Sequence, residues 1–515
     1  MNLKEHFKKN MVPIGLSLVC FLYYITFLVK HGEMFFGGSD IVTNTAYAMT
    51  MFRDVYTAGW TVPKPAHMVL FGSVYWITGD LWFVNLVPII ATALTTFVGC
   101  WLILRYYHSK LGCIAFCIFM MTIPRMFFVT MAGGPGCVNT LFLLLAVVCV
   151  VRNDRPRYQI CSIVFLSLAN LTRPDSWPST YLIILIILVM RPSPKTGSKM
   201  KKSDLLFLIP IGMPLIWPLT YWAVWGDPLY VMKTSEAFWI EVASLNDVGI
   251  GTKVNGWTGY SIAVRNAFSD LFSLSSWFSL RTAVIVILCL YGIVMMFLKQ
   301  PRILLLLGCP FLGSILFYLV VTHREFLFRP SYLYYAFVLF TLTLSVGLAS
   351  VCGLTRHVRH QYVGWFIRAG LACLALWFLT AGPYEEKVIH RTIPKLKDWA
   401  AISKRAAPAI ERIVGDVKDT SGTPVIITTN PVPASRIALQ LLTGENIFLA
   451  DRLARREKLG HEVHLPDLGG RTVYFAAPEP TRAAVGDFLR RLVLRAREKE
   501  MIYNKEGLVV LKCVY

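Results

Sequence analysis

For the first three-quarters of the chain, apolar positions gather into uncharged runs, with the charged positions between them. The runs lie at about 11–29, 84–104, 111–131, 136–151, 158–172, 176–190, 205–225, 282–298, 303–322, 331–351 and 366–383. Most are near the ~20 residues a helix needs to cross a hydrocarbon layer of ~30 Å. About 11 spanning helices are therefore expected. A further stretch, 66–79 (AHMVLFGSVYWITG), is apolar but short, and Asp80 parts it from the next run. It predicts an interfacial or re-entrant helix, which needs its ends satisfied by protein or water. The runs at 158–172 and 176–190 are also short and flank TRPDSWP. Two half-length helices meeting at a charged break is how membrane folds build a site at depth.

Beyond Pro383 the pattern changes. Pro-punctuated amphipathic stretches predict a helix around 395–414, a strand at 424–429 (PVIITT) and a helix around 434–443. A strand at 471–477 (RTVYFAA), a charged helix around 481–500 and a closing strand at 508–515 follow. Strands alternating with helices suggest a small α/β domain. The expected division is thus a transmembrane domain over 1–383 and a soluble α/β domain over 384–515. Within the membrane part, the stretch 226–281 is rich in Trp, Gly, Ser and Asn and holds no spanning run. Loops this long in a compact fold are usually functional, and its aromatics suit an ordered lid on the bilayer surface.

Composition agrees with the pattern. Of 515 residues, 55% are hydrophobic, against roughly 45–50% in soluble domains; the mean hydropathy is +0.55. The net charge of +21 does not call for nucleic acid, because most of the excess sits in short loops between apolar runs. Lys4, Lys8 and Lys9, then Arg105 and Lys110, Arg152 to Arg157, Arg191 to Lys202, Lys299 and Arg302, and Arg356 and Arg359 occupy alternate connections. The positive-inside rule makes that set cytoplasmic. The other set holds nearly all the acids of the membrane part, and an odd span count puts the C-terminal region on the outer side too. The first run has a basic start and no Ala-x-Ala site, which predicts a retained span. Many of the twelve cysteines, such as Cys20, Cys100, Cys113, Cys117, Cys149 and Cys289, fall inside apolar runs, where Cys acts as a small hydrophobe. No CxxC pair or Cys/His cluster supports a disulfide framework or a zinc site.

Ionisable residues beside spanning segments are expensive and mark sites by default. On the expected outer face these are Asp40, Asp54, Lys64, His67, Arg173, Asp175, Lys233, Arg324, Glu325 and Arg329. For Asp54 with Arg53 the structural reading is the favoured one, and Arg324 with Glu325 reads as an exposed surface pair before it reads as a site. Asp40 follows a Gly-Gly-Ser turn some ten residues past the first span, in the stretch 35–67 read as a loop. A carboxylate there can take a proton from an attacking hydroxyl. Arg173 can fork onto a phosphate, or lock Asp175 in a structural pair. Asp40, Asp54 and Asp175 are oxygen ligands that would suit a divalent cation (Mg, Mn or Ca), although nothing in their spacing requires one.

Several of these stretches resemble the GT-C superfamily of integral-membrane glycosyltransferases, which use polyprenyl-phosphate sugars. The arabinofuranosyltransferase-like branch is the nearest in pattern. GGSDIVTNTAYAM is similar to the first outer loop of that superfamily, whose acid implies a catalytic base at Asp40. PKPAHMVLFGSVYWITGD resembles the Lys/His-Pro-Pro-Leu stretch, which implies Lys64 and His67 near the donor phosphate. LANLTRPDSWP resembles the TRPDG signature, YWAVWGDPLYVMKTS the stretch whose lysine corresponds to Lys233, and REFLFRPSYLYYAF a late Arg-Tyr motif with Arg329. The chain departs from the pattern at GGPGCVNT around Gly134, which lacks the acid of Gly-Met/Leu-Glu-Thr. It departs again at Ser176, in the Gly position of TRPDG, and at LYVMKTS, where Pro-Asn-Thr is lost.

The resemblance implies a GT-C fold and an inverting glycosyltransferase. A sugar would pass from a polyprenyl-phosphate donor to a cell-envelope glycan or lipid acceptor at the outer face of the cytoplasmic membrane. Asp40 would be the base, and Lys64, His67, Arg173, Lys233 and Arg329 would hold the phosphate, supported by Asp54 and Asp175. The competing readings are a transporter or flippase for a lipid-linked or polar solute, which broken helices fit equally well, and a non-catalytic envelope scaffold.

Overall fold

The structure is a computed structural model of the whole chain. It describes residues 3–36, 39–50, 65–152, 156–189, 202–226, 252–254, 280–321, 326–328, 334–353 and 393–419, most of 424–515, and a few isolated positions between. The last expected span, 366–383, falls almost entirely outside them.

Helices dominate until a C-terminal sheet. They are α1 (Leu3–Phe36), α2 (Ser39–Thr50), α3 (Pro65–Thr78), α4 (Leu81–Leu102), α5 (Lys110–Thr122), α6 (Pro124–Met131), α7 (Pro135–Val151), α8 (Pro156–Thr172) and α9 (Ser176–Val189). Then come α10 (Leu208–Gly212), α11 (Ile216–Trp225), α12 (Leu280–Lys299), α13 (Pro301–Val321), α14 (Tyr334–Gly353), α15 (Ile393–Asp419) and α16 (Ala483–Arg495). Among the described residues three helices are long and apolar enough to cross a membrane: Asn10–His31, Leu81–Tyr107 and Tyr334–Gly353.

The chain divides into two compact units. The first comprises residues 1–30, 85–217 and 247–394; the second comprises 31–84, 218–246 and 395–515. α1 passes from one to the other at His31, where its backbone leaves helical geometry (φ −133°, ψ 18°).

In the first unit, two expected runs are broken. The run at 111–131 becomes α5 and α6, because Pro124 cannot donate to a continuing ladder and drives Ile123 to an extended conformation (φ −66°, ψ 120°). The run at 205–225 is cut into the 3-10 turn Lys202–Phe207, α10, the 3-10 turn Met213–Leu215 and α11. Pro210, Pro214 and Pro218 account for that cutting. Small residues let helices close up: a Cβ on Gly292 of α12 would strike the Thr343 carbonyl of α14, and one on Gly347 the Leu288 carbonyl. Close small-residue crossings of this kind replace the hydrophobic drive that lipid cannot supply. All six cysteines singled out in the apolar runs are buried. Two short strands, β1 (Thr252–Val254) and β2 (Phe326–Phe328), pair antiparallel.

The second unit contains a five-stranded sheet of β3 (Val425–Thr428), β4 (Ile447–Leu449), β5 (Thr472–Pro478), β6 (Glu498–Lys505) and β7 (Leu508–Val514), in the order β4-β3-β5-β7-β6. β4, β3 and β5 are parallel; β7 runs antiparallel to both β5 and β6. All of β3 is buried, as a strand covered on both faces should be. Ile426 and Tyr474 face one core, with Ala406, Ala409, Ile410, Ile413 and Val414 of α15 at helical spacing. Val425, Ile427, Val473 and Phe475 face the other, with Phe488, Leu489 and Leu492 of α16. The charged stretch expected as a helix to 500 ends at Arg495 and returns as β6. Its charges fit an edge strand, where they discourage further pairing.

Candidate functional site

The break between α8 and α9 is a single tight turn. Arg173 N–H still donates to Ala169 O (3.1 Å), and Ser176 N–H and Trp177 N–H donate back to Arg173 O (3.2 Å) and Pro174 O (3.1 Å). Pro174 stops α8, and Asp175 and Ser176 are residue types suited to the positive end of the helix that follows. Arg173 Nε donates to Asp175 Oδ1 at 2.8 Å, and the two side chains are only 9% and 5% exposed. The pair left open by the sequence is therefore formed.

Around it lies a network the sequence reading missed. Asn170 is its hub: Nδ2 donates to Pro210 O (2.8 Å), and Oδ1 accepts from Thr180 Oγ1 (2.8 Å). Its backbone carbonyl, near the C-terminus of α8, accepts from the indoles of Trp177 (3.1 Å) and Trp217 (3.0 Å). Ser179 Oγ donates to Pro310 O of α13 at 3.3 Å, where Gly313 leaves no room for a Cβ beside Ser179. Ser176 Oγ donates to Asn139 Oδ1 at 2.7 Å, both buried. Ser176 and the GGPGCVNT stretch that holds Asn139 are two of the departures noted above; here they are partners. Only the polar residue types in an apolar run could have signalled this network.

The second cluster lies on α2 and α3. Contrary to the loop expected over 35–67, residues 39–50 form a helix, with Asp40 at its second position. Ser and Asp are residue types that start helices, which fits Ser39 and Asp40 opening α2. One turn on, Asn44 Nδ2 lies 3.4 Å from Nε2 of His67 on α3. Both are buried, His67 completely, with its ring 4.0 Å from that of Phe71. The short apolar helix expected at 66–79 is α3, and a Cβ on its Gly72 would sit 2.7 Å from that of Ala48.

Arg53, Asp54, Lys64, Lys233, Arg324, Glu325 and Arg329 lie outside the described residues. Among the described residues no group of three or more His, Cys, Asp or Glu side chains gathers that could hold a metal ion. Asp175 has one carboxylate oxygen engaged by Arg173.

No family model matches the chain, and no curated protein matches it by sequence. Solved structures do match by fold. ArnT from Cupriavidus metallidurans bound to undecaprenyl phosphate superposes with a TM-score of 0.57 at 10% identity, covering 95% of this chain and 97% of that one. The archaeal oligosaccharyltransferase AglB from Archaeoglobus fulgidus, in complex with an inhibitory peptide and a dolichol-phosphate, gives 0.52 at 10% identity, over 92% and 70%. The mostly helical architecture with a small C-terminal sheet is thus shared, as a fold, with these two proteins.

Proposed function

We propose that the protein is an inverting glycosyltransferase that moves a sugar from a polyprenyl-phosphate donor to a cell-envelope glycan or lipid at the outer face of the cytoplasmic membrane. The observation that carries the reading is the likeness, over nearly the full length of both chains, to a protein solved with a polyprenyl phosphate bound. The TRPDSWP break supports it, because it holds a buried, oriented Arg at the junction of two half-length helices. In this reading the acceptor hydroxyl oxygen attacks the anomeric carbon from the face opposite the phosphate. The bond from that carbon to the phosphate oxygen breaks, and the lipid phosphate leaves with the bond's electrons. Asp40 takes the hydroxyl proton, a role typically worth about 10²–10⁴-fold.

Lys64, Arg173, Lys233 and Arg329 are assigned to the charge that develops on the departing phosphate, where preorganised cations act most strongly. The hold of Asp175 on Nε sets the plane of the Arg173 guanidinium, whose fork of donors matches phosphate geometry. His67 is fully buried beside Asn44, which favours a part in holding α2 against α3 over direct contact with the lipid. Asp54 is assigned a supporting role.

The test is incubation of the purified full-length protein with a panel of radiolabelled lipid-phosphate sugars, alongside Asp40→Asn. Transfer by the wild type and its loss in the variant, with donor binding kept, is the expected outcome. Full turnover by well-folded Asp40→Asn removes Asp40 from the base role. A parallel assay after dialysis against chelator decides whether a divalent cation takes part.

A further inference from the structure

We infer that the C-terminal α/β domain seats the helix bearing Asp40, so that this domain belongs to the apparatus positioning the acid. The functional half of the inference rests on Asp40 being the base; the structural half does not. α2 is 12 residues long, and isolated helices of about 12–15 residues are marginal even with good helix formers. It must therefore borrow stability from an apolar partner. Val42 and Ala46, one turn apart, are both 0% exposed, and Met68 of α3 is 1% exposed. These three belong to one continuous core with Ala406, Ile410 and Ile413 of α15 and with Ile426, Tyr474 and Val510 of the sheet. Asp40 stands two positions before Val42 on the same helix. The opposite face of the sheet closes over a separate core, with Val425, Ile427, Phe488 and Leu492, in which, among the described residues, α2 and α3 have no member. The two faces of one sheet thus have different duties: one is shared with α2, the other serves the domain alone.

That asymmetry gives the experiment. Ile413→Ala opens a cavity in the shared core, and Phe488→Ala opens one in the private core. Both are made in the full-length protein, with Ile413→Val as a milder companion in case the larger deletion fails to fold. Amide hydrogen exchange is followed over residues 39–50. Exchange there is expected to rise about tenfold in Ile413→Ala and less in Ile413→Val, while Phe488→Ala leaves it at the wild-type rate. Equal behaviour of the two faces, whether both accelerate exchange or neither does, overturns the inference and leaves the domain an appended module. In the transfer assay, Ile413→Ala should lower kcat with the donor KM kept; an unchanged kcat beside accelerated exchange overturns the positioning role. If the wild type transfers no sugar at all, the proposed function fails while the exchange comparison still decides whether α2 is seated by the domain.

Discussion

The two regions that carry the candidate chemistry are built in opposite ways. The α8–α9 break is held by polar bonds: a buried ion pair at 2.8 Å, a buried Asn hub with four partners, one of them the half-buried Trp177, and a buried Ser–Asn contact. The α2–α3 pair is held chiefly by apolar burial and a small-residue crossing, with the Asn44–His67 contact inside it. A polar network fixes side-chain direction but leaves an unsatisfied group whenever one member is removed. An apolar seat fixes where a helix lies and yields more gently. A cation that must face a phosphate needs the first kind of support; an acid whose helix must stay near an acceptor can use the second.

The largest expected effect comes from breaking the polar region. Asp175→Ala strands a buried guanidinium, a change that costs about 3–5 kcal/mol when the partner charge stays buried. Its donor affinity should fall with stability, while Asp175→Asn, which keeps an oxygen for Nε, should recover most of the fold but less of the affinity. Donor titration and chemical unfolding of both variants check this. Equal donor binding in wild type and Asp175→Ala would show that the pair is only structural glue.

How much of this contrast the sequence disclosed depends on the kind of support. The break was legible because Pro174 and two charges interrupt an apolar run, and Pro acts locally. So was α3, from its length and the Asp80 stop. The helix at α2 was not, because twelve residues of mixed polarity form a helix only against an apolar partner. Here that partner includes α15, more than three hundred residues away in sequence. β6 was misread for a related reason: its charges look helical until Glu498–Lys505 is seen pairing with β7. The Asn139–Ser176 contact was likewise invisible, since each residue looked like a mere loss of the family pattern.

A middle-sized effect sharpens the comparison at two glycines. A Cβ on Gly313 would collide with the backbone of Ser179, one turn after Asp175; a Cβ on Gly72 crowds the Ala48 Cβ at 2.7 Å, while the Ala48 backbone stays at an ordinary 3.7 Å. Overpacking costs typically about 1–3 kcal/mol, and the backbone clash should fall at the upper end. Gly313→Ala is expected to raise the donor KM, because it pushes on the helix that starts at the Arg173–Asp175 turn. Gly72→Ala should lower kcat and spare the donor KM, because it shifts α2. Steady-state kinetics of the two variants, with unfolding midpoints, make the check. The same kinetic pattern in both would erase the distinction drawn between the regions.

The smallest effect sets the Arg173–Asp175 pair against an ion pair at the C-terminal sheet. In the α/β domain, Asp416 Oδ2 accepts from Lys512 Nζ at 2.7 Å and from Tyr474 Oη at 2.6 Å, but its side chain is 30% exposed. Burial alone would raise this carboxyl; the bonds from Lys512 and Tyr474, with the charges of Lys512 and Arg412, outweigh it and hold the group below its ordinary value. A lowered folded-state value means that the stabilisation is fully present above the unfolded carboxylate pKa of about 3.9. It is lost as pH falls through the lowered value. Because the pair is partly solvated, the contribution is about 1 kcal/mol or less and weakens with salt. Protection of Cys513, fully buried on β7, from an acid-active thiol reagent reports opening of this domain in the full-length protein. Protection in urea should drop on acidification below about pH 4, and Asp416→Asn should flatten that limb. High salt should mimic the variant here while leaving the deeply buried Arg173–Asp175 pair unaffected, since screening reaches only charges that water reaches.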